Sequence, residues 1–168
     1  AALMTSVMDR TDKVAEYTMH LNKLGLSILP PSINEGFADF STSEDGIRYG
    51  LSAIKSVGRN VIESIIDERK NGKYTDLSDF IKRLSGRDVN KRAVENFIRA
   101  GALDDLPGNR NQKLLTYAKI MDNISNERKH NTIGQMSLFD MSAPEDAETF
   151  AIRMPDVYQY DFKATNRL

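Results

Sequence analysis

Over most of the chain the apolar residues recur with a helical period, interrupted by one stretch of strand-like alternation. Residues 1–8 are apolar and helical in character, and no cap precedes them. That opening reads as a segment of a longer chain. Asp9 or Thr11 is placed to cap a second helix, with Asp12 favourable in its first turn. Val14, Tyr17, Leu21 and Leu24 follow at helical spacing, and Gly25 is a residue type that closes helices. Pro30-Pro31 stops regular structure. Phe40 and the alternating Ile47, Tyr49 and Leu51 predict a small hairpin about Glu44-Asp45-Gly46.

Three compact helices are predicted next. Val61, Ile62, Ile65 and Ile66 share one face; Leu77, Phe80, Ile81 and Leu84 fit a second helix; Val94, Phe97 and Ile98 fit a third. Asn90 is a candidate cap before that third helix, and Gly101 a candidate stop after it. Pro107-Gly108 predicts a turn. A fourth helix runs through Leu114, Tyr117, Ala118, Met121 and Ile124. After about Ser125 the period fades, which predicts a polar tail, partly disordered. One short apolar cluster, Met136-Ser137-Leu138-Phe139, interrupts it. The fold expected is mainly α with a small β hairpin.

Composition narrows the chemistry. The 168 residues suit one medium domain, or a small one with tails, and 40% hydrophobic residues suffice for a core. There is no cysteine, so disulfides and thiolate metal sites are excluded. His20 and His130 are the only imidazoles, far apart in sequence, and no metal or other cofactor is expected. A reducing, intracellular compartment fits. No apolar run reaches the ~20 residues of a membrane span. Asp104-Asp105, the only adjacent Asp pair, sits in a turn and reads as solvated or capping. Glu44-Asp45-Gly46 lacks calcium-loop spacing.

Charge separates along the chain although the net is −1. Residues 55–100 hold eleven Lys/Arg against seven Asp/Glu, and residues 134–160 hold one Arg against five Asp/Glu. A basic middle fits nucleic-acid contact and an acidic tail does not.

The segment Ile54-Lys55-Ser56-Val57-Gly58-Arg59-Asn60-Val61-Ile62 resembles a helix-hairpin-helix. In that motif a tight hairpin aims backbone N–H groups at a phosphate where the next helix begins. Gly58 allows close approach, Lys55 and Arg59 add charge, and Ser56 stands where the motif usually has another glycine. A plain helix–turn–helix packing unit is the other reading. A second unit, Val89-Asn90-Lys91-Arg92-Ala93-Val94, shows no glycine in its hairpin. Lys91 and Arg92 oppose the helix dipole there, so they face either phosphate or solvent.

Gln135-Met136-Ser137-Leu138-Phe139 resembles the pentapeptide by which bacterial replication and repair proteins bind the sliding clamp. Gln135 would anchor one end, while Met136, Leu138 and Phe139 contact the clamp, the last two filling an apolar pocket. Burying two such side chains is worth roughly 3–6 kcal/mol before ordering costs. The alternative is that Leu138 and Phe139 fold back onto their own core.

Five ordered blocks carry a wider resemblance. They are Ala1-Ala2-Leu3-Met4 through Asp12-Lys13-Val14; Leu29-Pro30-Pro31-Ser32-Ile33-Asn34; Gly46-Ile47-Arg48-Tyr49-Gly50-Leu51-Ser52-Ala53-Ile54-Lys55; Val89-Asn90-Lys91-Arg92 through Gly101-Ala102-Leu103; and Gly134 through Phe139. Together the chain resembles part of the alpha subunit of bacterial DNA polymerase III, a C-family replicative polymerase. The internal position of the pentapeptide is similar to the DnaE type.

The resemblance implies an end-of-fingers segment over 1–34, a helix-hairpin-helix domain over 35–128, and a tail with the clamp peptide over 129–168. It implies Lys55, Ser56, Gly58 and Arg59 as DNA contacts. It further implies double-stranded DNA, the sliding clamp and other polymerase III subunits as partners, no membrane, and a cytoplasmic setting. The parent would be a DNA-directed DNA polymerase, whose metal-holding carboxylates lie upstream of this segment. A helix-hairpin-helix repair module without clamp contact, a structural scaffold, and an enzyme in its own right are the alternatives.

Overall fold

The structure, a computed structural model, describes residues 1–87 and 89–134. Six α-helices and three short strands occur among them: α1 Ala2–Ser6, α2 Thr11–Lys23, β1 Ile28–Leu29, β2 Ser41–Ser43, β3 Gly46–Arg48, α3 Arg59–Glu68, α4 Leu77–Leu84, α5 Lys91–Ala100 and α6 Arg110–Gly134. A 3₁₀ turn, Leu51–Ala53, precedes α3.

Two hydrophobic clusters organise these elements. Met4, Val14, Phe40 and Ile47 form the smaller, between α1, α2 and the sheet. Phe40 meets Tyr49 edge-on at 4.7 Å. The expected hairpin forms, with Thr42 opposite Ile47. It gains a strand that the sequence did not predict, β1, paired parallel to β3 with Ile28 opposite Ile47. Neither Asp9 nor Thr11 caps α2: its N-cap is Arg10, which makes no side-chain cap bond. Leu24, expected on the buried face, is 64% exposed because α2 ends there before the chain turns into β1.

The larger cluster joins α3, α4, α5 and α6. Leu77, Phe80, Ile81 and Leu84 recur at helical spacing and all four are buried. Phe80 lies edge-to-face with Tyr74 at 5.1 Å and with Phe97 at 6.3 Å, linking α4 to α5. Asp76 caps α4 by accepting from the Asp79 N–H at 2.8 Å, and Asp79 accepts from the Thr75 N–H at 3.1 Å. Asn90 caps α5 through the Ala93 N–H, and Gly101 ends it in the left-handed region, as the sequence predicts. Leu114, Tyr117, Met121 and Ile124 pack on this cluster from α6. That helix runs on to Gly134, beyond the fade at Ser125; residues 125–129 are exposed, and an exposed stretch needs no apolar stripe.

Polar anchors hold the connections. Asp104 and Asp105 are both exposed, as the solvated reading expects, and each also has a partner within the chain. Asp104 pairs with Arg110, and Asp105 accepts a hydrogen bond from the Ser32 hydroxyl. The Ile33 N–H donates to the Ala102 carbonyl at 2.9 Å, so the proline loop is tied to the corner after α5. Lys113 is buried beneath that corner and donates to the Leu103 and Leu106 carbonyls, both at 2.8 Å. Burial pushes its ammonium pKa down, and the two carbonyls compensate the lost hydration. No helix among the described residues is long and apolar enough to cross a membrane.

Candidate nucleic-acid interface

The first hairpin lies between the 3₁₀ turn and α3. Leu51 and Ile54 are buried on one side and Val61 and Ile62 on the other, which pins both ends. Between them Lys55, Ser56 and Gly58 are exposed, and Arg59 and Asn60 continue the exposed stretch into α3. Ser56 takes φ 61, the only positive value for a non-glycine residue among the described residues. It therefore makes the left-handed turn that glycine makes more cheaply, at roughly 1 kcal/mol. Gly58, by contrast, has φ −73, which any residue adopts. A Cβ there would meet the Asn60 Oδ1 at 2.8 Å, so its contribution is room for that side chain at the start of α3.

That start is electrostatically positive. The N-cap Gly58 offers no side-chain acceptor, and the first turn holds no acidic residue. The N–H groups and the helix dipole thus face outward beside Lys55 and Arg59. Arg59 contacts Glu63 at 3.3 Å, an exposed i,i+4 pair that is weak enough to exchange for an external anion.

The second hairpin joins α4 to α5 over residues 85–90. It does contain a glycine, contrary to the sequence reading: Gly86 sits at φ +88, earlier than the quoted unit began. The Arg128 guanidinium occupies the space that a Cβ there would need. Lys91 is paired with Asp122 of α6 at 2.6 Å. Arg92 instead reaches the first hairpin, donating to the Ser56 hydroxyl at 3.4 Å. One turn later Asn96 donates to the Lys55 carbonyl at 3.1 Å. Arg92 and Asn96 therefore brace the first hairpin from α5. Asn96 was not among the predicted residues, although its i+4 relation to Arg92 was visible.

Much of the basic middle is committed internally. Arg69 donates to the Ile33 and Gly36 carbonyls at 3.1 and 2.6 Å and lies over the Phe37 ring. Arg83 donates to the Glu68 carbonyl at 2.6 Å, pairs with the Glu68 carboxylate and lies over Tyr74. Arg87 also pairs with Glu68, at 2.8 Å. The Asn71 hydrogen bond, followed by these arginines, holds the Glu68 carboxyl below the ordinary range. Burial pushes the Tyr74 phenol up to about 12. The structure brings Lys55, Ser56, Gly58, Arg59 and Arg92 to one surface and leaves Lys91 turned toward α6. Gln135, Met136, Leu138 and Phe139 lie outside the described residues.

Comparison with known proteins agrees with this geometry. The helix-hairpin-helix motif model matches residues 25–113, more than half of the chain. The chain belongs to the helix-hairpin-helix family. Its homologues are DNA polymerase III alpha subunits. The Mycobacterium leprae protein is 38% identical over 157 residues, covering 93% of this chain and 13% of that relative. The Vibrio cholerae protein is 38% identical over 160 residues, 93% of this chain and 14% of the relative. The Borreliella burgdorferi protein is 35% identical over 147 residues, 87% and 13% respectively. The chain thus spans about one-eighth of the length of the curated relatives it matches. The helix-hairpin-helix assignment covers both hairpins, including the glycine-poor first turn.

Proposed function

We propose that this chain grips the backbone of duplex DNA within a replicative DNA polymerase and docks on the sliding clamp. The observation that carries the DNA part is the exposed first hairpin leading into α3, whose N-terminus has no side-chain cap and no acidic residue. Lys55, Arg59 and Arg92 surround it, and a phosphate there meets N–H donors, a dipole and mobile positive charge together. Such contacts read backbone and not sequence. Lys91 contributes only if a phosphate displaces Asp122.

Binding to random-sequence duplex DNA across a salt series tests this. The expected outcome is a linear fall of log affinity with log salt. Lys55→Ala/Arg59→Ala should lower affinity for every sequence and reduce the slope by roughly two. Lys91→Ala should change neither by much. No binding at low salt, or a slope unaltered in the double variant, overturns the reading.

The clamp part is supported by the residue pattern of Gln135, Met136, Leu138 and Phe139 and by homologues named DNA polymerase III alpha subunit. Micromolar binding to a bacterial sliding clamp, lost in Leu138→Ala/Phe139→Ala, is the expected result. Undiminished binding in that variant, or none by the unaltered chain, removes the clamp from the proposal. On the same reading, residues 1–34 close the fingers region, 35–128 form the DNA-gripping domain and 129–168 carry the docking peptide. The setting is cytoplasmic, among the other polymerase III subunits.

A further inference from the structure

A cleft of about 420 Å³ opens beside the first hairpin, between the proline loop, the end of β3 and α5. Pro31, Tyr49 and Ala53 line it from the chain before the hairpin, Lys55 from the hairpin itself, and Asn96 and Arg99 from α5. No acidic residue lines it, and every lining side chain that forms hydrogen bonds carries a donor. Burial pushes the Tyr49 phenol pKa up, so its hydroxyl keeps the proton at neutral pH and donates. Donors with two cations among them match an anion that has several acceptor oxygens.

The cleft is continuous with the hairpin. Lys55 belongs to both, and Asn96, which lines the cleft, donates to the Lys55 carbonyl at 3.1 Å. Arg92, Asn96 and Arg99 stand at i, i+4 and i+7, on one face of α5. Arg92 touches Ser56, and Arg99 lies about 10 Å further along the helix axis. One strand of a duplex carries a phosphate per ~3.4 Å of axis, so that span covers about three phosphates. Arg99 is paired with Glu95 through a single carboxylate oxygen, which takes Nε at 2.9 Å and Nη2 at 2.7 Å. The other Glu95 oxygen accepts from the Tyr117 hydroxyl at 3.2 Å. Glu95 thus orients a guanidinium whose five donors exceed what one oxygen uses. Lys91, by contrast, is turned toward Asp122 and lines no part of the cleft. We propose that the cleft is a second phosphate subsite, a deepening that rests on the duplex reading above. Arg99, Lys55 and the Tyr49 hydroxyl hold there a phosphate of the same strand that the first hairpin grips.

Binding of the full chain to random-sequence duplex DNA across a salt series tests this. Arg99→Ala should reduce the slope of log affinity against log salt by roughly one. Tyr49→Phe keeps the ring against Phe40 and removes the donor. It should weaken binding severalfold at an unchanged slope, because a neutral donor releases no counterion. Lys119→Ala removes an exposed cation of α6 outside the cleft and should alter neither quantity. A slope in Arg99→Ala equal to that of the unaltered chain overturns the subsite. An equal loss in Lys119→Ala also overturns it, in favour of a general field. Arg59→Ala separates the subsite from the hairpin. A slope lowered in Arg59→Ala and not in Arg99→Ala removes the cleft and keeps the hairpin. The reverse pattern keeps the cleft and removes the hairpin. An unaltered chain that binds no duplex at low salt removes both.

Discussion

The two hairpins share a topology and use their polar groups in opposite directions. In the first, no side chain caps α3, and Lys55, Ser56 and Arg59 are exposed around its start. In the second, Asn90 caps α5, Lys91 is held by Asp122, Arg87 is held by Glu68, and Arg128 covers Gly86. The first keeps donors available for something outside the chain. The second spends them on its own helices. A count of basic residues along the sequence does not separate these uses, since both hairpins are rich in cations. What separates them is how closely the cations are held: Arg59 has an exposed pair with Glu63 at 3.3 Å, whereas Lys91 and Arg87 are paired at 2.6 and 2.8 Å.

The largest expected effect tests the structural role of the second hairpin. Leu84 closes α4 directly before it and is fully buried. Leu84→Ala should cost about 2–5 kcal/mol in chemical denaturation, the range for a large-to-small change in a core. Val57, the apolar residue inside the first hairpin, is only half-buried. Val57→Ala should cost less than half as much. Equal costs would break the division between a hairpin that supports the fold and one that the fold supports.

A smaller effect comes from the caps. Asn90→Ala removes the acceptor for the Ala93 N–H and should destabilise by about 1 kcal/mol. Duplex DNA affinity should stay the same once stability is allowed for. Ser56→Gly should act in the other direction, because glycine takes the left-handed turn without strain. A gain of about 0.5–1 kcal/mol in thermal or chemical denaturation is expected. A loss in Ser56→Gly would mean that the hydroxyl contact with Arg92 outweighs the backbone strain.

How much of this was legible in sequence follows the range of each signal. Leu77, Phe80, Ile81 and Leu84 announce α4 because the helical period and complete burial coincide. Asn90 and Gly101 mark α5 because capping is local chemistry. β1 stayed hidden, since two residues cannot display alternation. Asp122 gave no sign of its role, because its partner Lys91 is 31 positions away. Likewise Arg69 counts as a free cation in sequence, yet it folds back onto Ile33 and Gly36. The candidate residues of the first hairpin were readable as a motif. That Lys55, Ser56 and Arg59 stay exposed, while Lys91 and Arg87 of the second are paired with Asp122 and Glu68, required the helices packed around them.

The smallest effect probes how the second hairpin is held at its base. Glu68 is 14% exposed, accepts from Asn71 and pairs with Arg83 and Arg87. Its pKa in the folded chain is therefore below that of the unfolded chain. A carboxyl shifted down contributes its stability above the unfolded value, about 4.3, and loses it as pH falls through the folded value. Asp67 and Glu95 are also shifted down, by Lys70 and Arg99, and titrate in the same region. Comparison with Glu68→Gln isolates the one carboxyl. The variant should be less stable than the unaltered chain at pH 7, and the two stability curves should converge as pH falls through the folded value. Parallel curves would show that Arg83 and Arg87 gain nothing from the charge on Glu68. The second hairpin would then rest on Asn90, Asp122 and its apolar contacts alone.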